Sequence, residues 1–158
     1  SVTGALLPEA VEPLAFLLGV WVGEGRGAYP TVDDFTFAEE TTFLCPGKPV
    51  VAYRQQTWVP PGGPPSHSEV GFLRPVAGAV ELVLAQPSGV VEVSQGTLTG
   101  TYLEVVTLTV VTTPTAKPVR EVRRVYELRG DVLSTRLDMA AVDQPLAFHC
   151  ESQLRRAT

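Results

Sequence analysis

Residues 19–30 read GVWVGEGRGAYP. Glycine holds four of these twelve positions, and all four carry odd numbers. Trp21 and Tyr29 share that parity. An extended chain sends alternate residues to opposite faces. Gly19, Trp21, Gly23, Gly25, Gly27 and Tyr29 therefore form one side, bare except for an aromatic ring toward each end. Val20, Val22, Glu24, Arg26, Ala28 and Pro30 form the other. Glycine inside a strand costs roughly 0.5–1 kcal/mol relative to alanine. Some strand glycines mark bends at barrel corners, but Gly23, Gly25 and Gly27 in alternation exceed what curvature requires. Close approach by a broad, flat object explains them. A phosphate loop does not, because the spacing is G-x-G-x-G and no helical pattern follows.

Outward from this stretch, the chain reads as strand and turn. Strand-length runs rich in valine and threonine occupy 36–43, 50–59, 67–74, 79–86, 90–100, 102–112, 119–128, 132–142 and 145–156. The turn signals PGK, PPGGPP, VAG, PSG, TPTAK and RGD separate them. With residues 19–30 the count is about ten. Short strands joined by hairpin-length turns predict an antiparallel meander. Ten of them in 158 residues predict an all-β, up-and-down closed barrel, which leaves no open edge and can enclose a ligand. A two-sheet sandwich is the alternative. The one helical signal is Pro8–Leu18, where Val11, Leu14, Leu17 and Leu18 recur at helical spacing and Pro13 interrupts. The expected organisation is a single unit over 1–158, with a short helix over 8–18 and the barrel over 19–156.

Lysine and arginine number 12 against 17 acidic residues, a net charge of −5 with the signs interspersed. No clustered basic face argues for nucleic acid, and no polybasic segment argues for an anionic membrane surface. No run approaches the roughly 20 apolar residues of a spanning helix, and the N-terminal segment lacks the pattern of a secretory signal. The two cysteines, Cys45 and Cys150, form no Cys-x-x-Cys pair and suit a reduced, cytoplasmic protein. Abundant exposed valines leave a homodimer face open.

The stretch Gly19-Val20-Trp21-Val22-Gly23-Glu24-Gly25-Arg26-Gly27-Ala28-Tyr29-Pro30 resembles the G-x-W-x-G-E-G-x-G-x-Y-P signature of the nitrobindins at every fixed position. The similarity runs on through Thr31, Glu39-Glu40, Ser66-His67-Ser68-Glu69 with Gly71, and Ser88-Gly89-Val90-Val91-Glu92-Val93. It ends with Gln144-Pro145-Leu146 and His149. The resemblance implies a ten-stranded antiparallel barrel, similar in shape to fatty-acid-binding proteins, holding one b-type haem near its mouth. It implies binding of nitric oxide and isomerisation of peroxynitrite to nitrate at ferric haem. A non-catalytic haem or nitric oxide carrier or sensor, and a lipid carrier without haem, are the rival functions. For the lipid carrier, Arg54, Arg120, Arg123 and Arg124 are the candidate carboxylate partners.

The resemblance assigns the proximal iron ligand to His149 and a distal place to His67, the only two histidines. Strict alternation groups His149 with Glu151 and Gln153, the more polar parity, and sets Cys150 opposite. A barrel mouth open to solvent would tolerate that parity, and so would a bulge near Pro145. Thr31 is a candidate for the haem edge. Lys117 is a candidate partner for a propionate, and otherwise a solvated loop lysine. Trp21 and Tyr29 would line the pocket or fill the interior, and Gly23, Gly25 and Gly27 would form its flat floor. No catalytic residue beyond the iron is required. Two histidines and two distant thiols do not supply a zinc site, and no hydrolase elbow is present.

Overall fold

A computed structural model describes residues 6–157. A helix at Glu9–Leu17 precedes ten strands: β1 (Gly19–Tyr29), β2 (Val32–Leu44), β3 (Val51–Trp58), β4 (Pro65–Val76), β5 (Ala79–Ala85), β6 (Val90–Thr99), β7 (Tyr102–Thr112), β8 (Val119–Arg129), β9 (Val132–Ala141) and β10 (Ala147–Arg156). Each pairs antiparallel with its sequence neighbour, and β10 closes on β1. The sheet is the expected up-and-down barrel rather than a sandwich.

The helix is 3-10, not α. Pro13 lies within it and donates no hydrogen bond. Its bonds reach back three residues, from Val11 N to Pro8 O and from Leu18 N to Ala15 O. The buried residues Val11, Leu14 and Leu17 recur every third position, the period of a 3-10 helix, in which such side chains eclipse.

The barrel interior has two halves. The helix plugs one end, where Val11, Leu14 and Leu17 pack with Trp21, Phe43, Leu73, Leu82, Leu103, Leu133 and Leu154. Trp21 is fully buried, and its Nε1 donates to Leu17 O at 2.7 Å, tying the first strand to the plug. This apolar half is the hydrophobic core. Toward the other end the inward positions turn polar: Glu39, Glu69, Glu92, Arg124 and Ser152 are all buried. Beyond them the barrel opens.

The odd-numbered face of β1 points inward, as its alternation predicts: Trp21, Gly27 and Tyr29 are buried, while Val20, Val22, Glu24 and Arg26 are exposed. The glycines meet protein, however. Gly25 pairs with Phe37 across the ladder and Gly27 with Phe35. A methyl group at either glycine would collide with that partner's ring. At Gly23 it would collide with the backbone carbonyl of Gln153 on β10. The bare strip thus admits two phenyl rings and a close strand, and the surface offered to the interior is phenyl rather than glycine backbone.

Candidate functional site

At the end remote from the helix, a chamber of about 320 Å³ lies inside the barrel. A second volume of about 440 Å³ leads outward. His67, Gln86, Val119, Met139 and His149 line both, so the two form one space with an inner chamber and a mouth.

His149 reaches this space through a β-bulge. Ala147 pairs with Met139 and Phe148 with Asp138, but the next partner, Leu137, belongs to Cys150. His149 is the extra residue. A bulge breaks the alternation of the strand and re-aims a side chain. His149 and Cys150 consequently both line the chamber. The opposition of these two residues inferred from strict alternation is corrected by this single insertion.

The imidazole is held by aromatic neighbours. Tyr29 meets it edge-on, with ring centroids 5.5 Å apart and planes at 88°. Phe35 lies 6.0 Å away, tilted by 57°. Tyr29 is itself fixed to β9, where its hydroxyl accepts from Ala141 N at 2.9 Å and faces the carbonyls of Met139 and Ala141. His149 Nδ1 is buried with no hydrogen-bond partner. Burial pulls the His149 pKa below its ordinary value; the backbone of Ala28 opposes the shift and His67 adds to it. The ring is therefore neutral at pH 7, the form that ligates metal.

Thr31 and Lys117 both stand at the mouth, with Tyr29 and His149. Trp21 does not. Eight residues separate it from Tyr29, roughly 25 Å along a strand, and it belongs to the apolar core under the helix. Gly23, Gly25 and Gly27 border neither the chamber nor its mouth: Phe37 and Phe35 cover Gly25 and Gly27 and themselves line the chamber, and Gly23 abuts the backbone of Gln153.

Beneath the chamber lies an ionic bracket. Arg124 is 3% exposed, and its Nη1 donates to Glu69 Oε2 at 2.6 Å. Its Nε and Nη2 donate to the two oxygens of Glu92 at 3.1 and 2.9 Å. Glu92 Oε2 also accepts from Gln86 Nε2 at 2.7 Å. Glu69 Oε2 takes a further bond from the Tyr53 hydroxyl, and Glu69 Oε1 lies 3.0 Å from His67 Nε2. Burial pushes the Glu69 carboxyl up, but Arg124 and His67 overcome it and bring the pKa down to about 2. Glu39, nearby, shifts the other way: burial raises it, with the Glu69 charge adding, against hydrogen bonds from Thr41 and Ser152. The sequence alone marks neither Glu92 nor Gln86 as a site residue, and offers Arg124 only as a carboxylate partner for a lipid. The signal was available, since Glu92 alternates with buried Val90 and Ser94, and Arg124 with buried Val122 and Tyr126.

This bracket bears on the lipid-carrier alternative. Arg124 is saturated by two carboxylates. Arg123 is taken by Glu104 and Asp138. Arg54 and Arg120 are exposed. None is an unpaired cation waiting inside the barrel for a fatty-acid carboxylate.

The space suits a haem. His149 supplies a neutral imidazole, the usual axial donor to haem iron, in a wall shared by chamber and mouth. Phe35, Phe37, Val119, Val122, Leu137 and Met139 offer apolar wall for a flat macrocycle. Lys117 and Thr31 add a cation and a hydroxyl at the mouth. Among the described residues no three His, Cys, Asp or Glu side chains converge on a point that would hold a bare metal ion.

Fold and site together define a small closed β-barrel whose open end is a cofactor-sized cavity walled by an imidazole and by aromatic and aliphatic side chains. The chain belongs to the family of the THAP4-like, heme-binding beta-barrel domain, whose model matches residues 10–156. It is 45% identical over 151 residues to peroxynitrite isomerase 2 of Mycobacterium ulcerans, covering 92% of this chain and 94% of that protein. It is 44% identical over 158 residues to peroxynitrite isomerase 1 of Mycobacterium tuberculosis strain H37Rv, covering 95% of this chain and 96% of that protein. The crystal structure of Rv2717c from M. tuberculosis superposes with a TM-score of 0.92 at 44% identity, covering 97% of this chain and all of that one.

Proposed function

We propose that the barrel binds one b-type haem through His149 and isomerises peroxynitrite to nitrate. The observation that carries this reading is the His149 imidazole, which lines both the chamber and its mouth, in a chain whose relatives bear the name of that activity. Bound haem would supply the iron at which the O–O bond of peroxynitrite breaks and an N–O bond forms, with no atom or electron gained or lost.

The chain's own residues hold and shape. His149 presents a neutral ring, oriented by Tyr29 and Phe35. Phe35 and Phe37 exclude water from one wall of the chamber. Lys117 and Thr31, at the mouth, would meet the polar edge of the cofactor. His67, which lines both chamber and mouth, would lie on the ligand side. Nitric oxide is a second small ligand for the same site. The two unpaired thiols, Cys45 and Cys150, suit a reducing compartment such as the cytoplasm. The exposed valines of the outer sheet are the candidate face for a second copy.

The test is titration of the haem-free protein with haemin, followed by peroxynitrite decay and nitrate yield. Wild type takes up one equivalent with a shifted Soret band and turns over well above free haemin. His149→Ala loses the tight complex. Uptake unaffected by His149→Ala, or decay no faster than with haemin alone, overturns the reading.

A further inference from the structure

His67 is fastened at two levels. Its backbone N donates to Thr57 Oγ1 at 2.9 Å, and its carbonyl accepts from Gln56 Nε2 at 3.0 Å. Both clamps come from the irregular register between Gln56 and Trp58 of β3. Its ring is held separately, by Nε2 against Glu69 Oε1 at 3.0 Å. The His67 side chain is 41% exposed, whereas that of Glu69 is 2% exposed. A half-exposed imidazole fastened to a buried carboxylate is a ring with an imposed orientation.

Glu69 has no freedom to release it. Its Oε2 is occupied by Arg124 and Tyr53. Arg124 is anchored on its far side by Glu92, and Glu92 by Gln86. The chain Gln86–Glu92–Arg124–Glu69–His67 spans the chamber floor, and both its ends line the chamber and the mouth. A carboxylate needed only to balance Arg124 has no reason to spend its second oxygen on a cavity histidine.

We propose that Glu69 is a positioning residue for His67: by binding Nε2–H it fixes the ring's tautomer and leaves Nδ1 as the nitrogen that bonds a ligand in the chamber. An ionised carboxylate only accepts, so the nitrogen facing it carries the proton. In the neutral ring Nδ1 is then an acceptor, matched to the O–H of a protonated oxyanion. In the imidazolium it is a donor, matched to the anion itself. The same ring serves both forms of a small oxyacid without moving. This rests on the haem reading for the identity of the ligand, but not for the geometry of the pair.

The pair is tested by two-bond ¹H–¹⁵N correlation spectra of the histidine rings in haem-free protein, at a pH where His67 is neutral, with His67→Ala for assignment. The wild-type ring is expected in the Nε2–H form by at least about tenfold, the bias of a charge-assisted hydrogen bond. Glu69→Gln is expected to invert the preference. Arg124 and Tyr53 donate to this side chain and claim the amide oxygen, so the amide NH₂ faces His67 and Nε2 becomes the acceptor. Glu92→Gln leaves the wild-type tautomer. A majority Nδ1–H form in wild type overturns the proposal without any variant, and so does a preference that survives Glu69→Gln. A second measurement reads the ligand: the C–O stretch of the ferrous carbonyl complex in haem-loaded protein. Glu69→Gln and His67→Ala both shift it, and equal frequencies in wild type and His67→Ala overturn the role of Nδ1. Because the tautomer is read without haem, failure of haem uptake and failure of this proposal are separate results.

Discussion

The ring of Phe37 lies over the bare backbone of Gly25, its cross-strand partner. Phe35 stands over Gly27 in the same way, and the two rings, 6.1 Å apart, form a wall of the chamber. Gly25→Val therefore has two expected effects. The new Cβ meets both the Phe37 ring and the backbone carbonyl of Glu151 on β10, and overpacking of this kind costs on the order of 1–3 kcal/mol, read as a lower urea midpoint. The displaced phenyl moves toward the chamber and weakens haemin uptake. Unchanged stability and uptake would show that the ring is not confined by the glycine.

Arg124 and Arg123 are neighbours in sequence with unlike roles. Arg124 is sealed in the barrel between Glu69 and Glu92. Arg123, more exposed, bridges Glu104 and Asp138 outside. Arg124→Met leaves two buried carboxylates without their cation, a loss of about 3–5 kcal/mol. Arg123→Met costs less, because Asp138 keeps Arg136 at 3.0 Å and the Glu104 side chain, one-third exposed, is solvated. Equilibrium urea unfolding of the two variants distinguishes these outcomes. Equal losses would mean that water reaches the bracket.

The same contrast shows what the sequence could reveal. Turn chemistry and valine-rich runs marked all ten strands, since hairpins are local. The parity of GVWVGEGRGAYP correctly put the glycines inside. It could not say what covers them, because Phe35 and Phe37 are brought there by the register between β1 and β2. The spacing of Val11, Leu14 and Leu17 was visible, but Pro13 and the period of three make a 3-10 turn rather than an α-helix. The place of His149 in the cavity depends on one inserted residue, and a bulge has no signature in a run such as PLAFHCES. Glu92 and Arg124 were legible as charges on apolar parity, but their mutual contact, 32 residues apart, is a product of barrel closure.

Glu69 and Glu39 respond oppositely to pH. The folded-state pKa of Glu69 lies at about 2, below its usual 4.5. The unfolded chain binds the proton more readily, so stability from this group is complete above about pH 4.5 and is lost as pH falls toward 2. By linkage its size is about 3 kcal/mol. For Glu39 the folded-state pKa is raised, chiefly by burial. Its contribution falls as pH rises through the interval above 4.5, because the fold must ionise a buried acid. Glu39→Gln is thus expected to be at least as stable as wild type at pH 7, and Glu69→Gln to lose both stability and the acid-side dependence. Urea midpoints measured from pH 3 to pH 7 check both signs, and a destabilised Glu39→Gln at neutral pH would contradict the assignment.

Cys150 shares the chamber with His149 but differs from it chemically. Burial pushes its thiol up to about 12, with Arg124 opposing and Glu69, Glu39 and Asp138 adding to the rise. The thiolate is the nucleophile. At pH 8 a thiol with that pKa is ionised in roughly one molecule in 10⁴, against a sizeable fraction for a free cysteine. Cys45 is buried outright. The folded protein is expected to resist alkylation by iodoacetamide at pH 8 over hours and to label at both cysteines within minutes in urea. Haemin is expected to slow the residual reaction at Cys150 further, since both would occupy one cavity, while Cys45, packed in the core near the helix, is indifferent to it. Protection that falls equally on both thiols would point to general stabilisation instead. Protection confined to Cys150 would place haemin in the chamber by a route independent of any spectrum of iron.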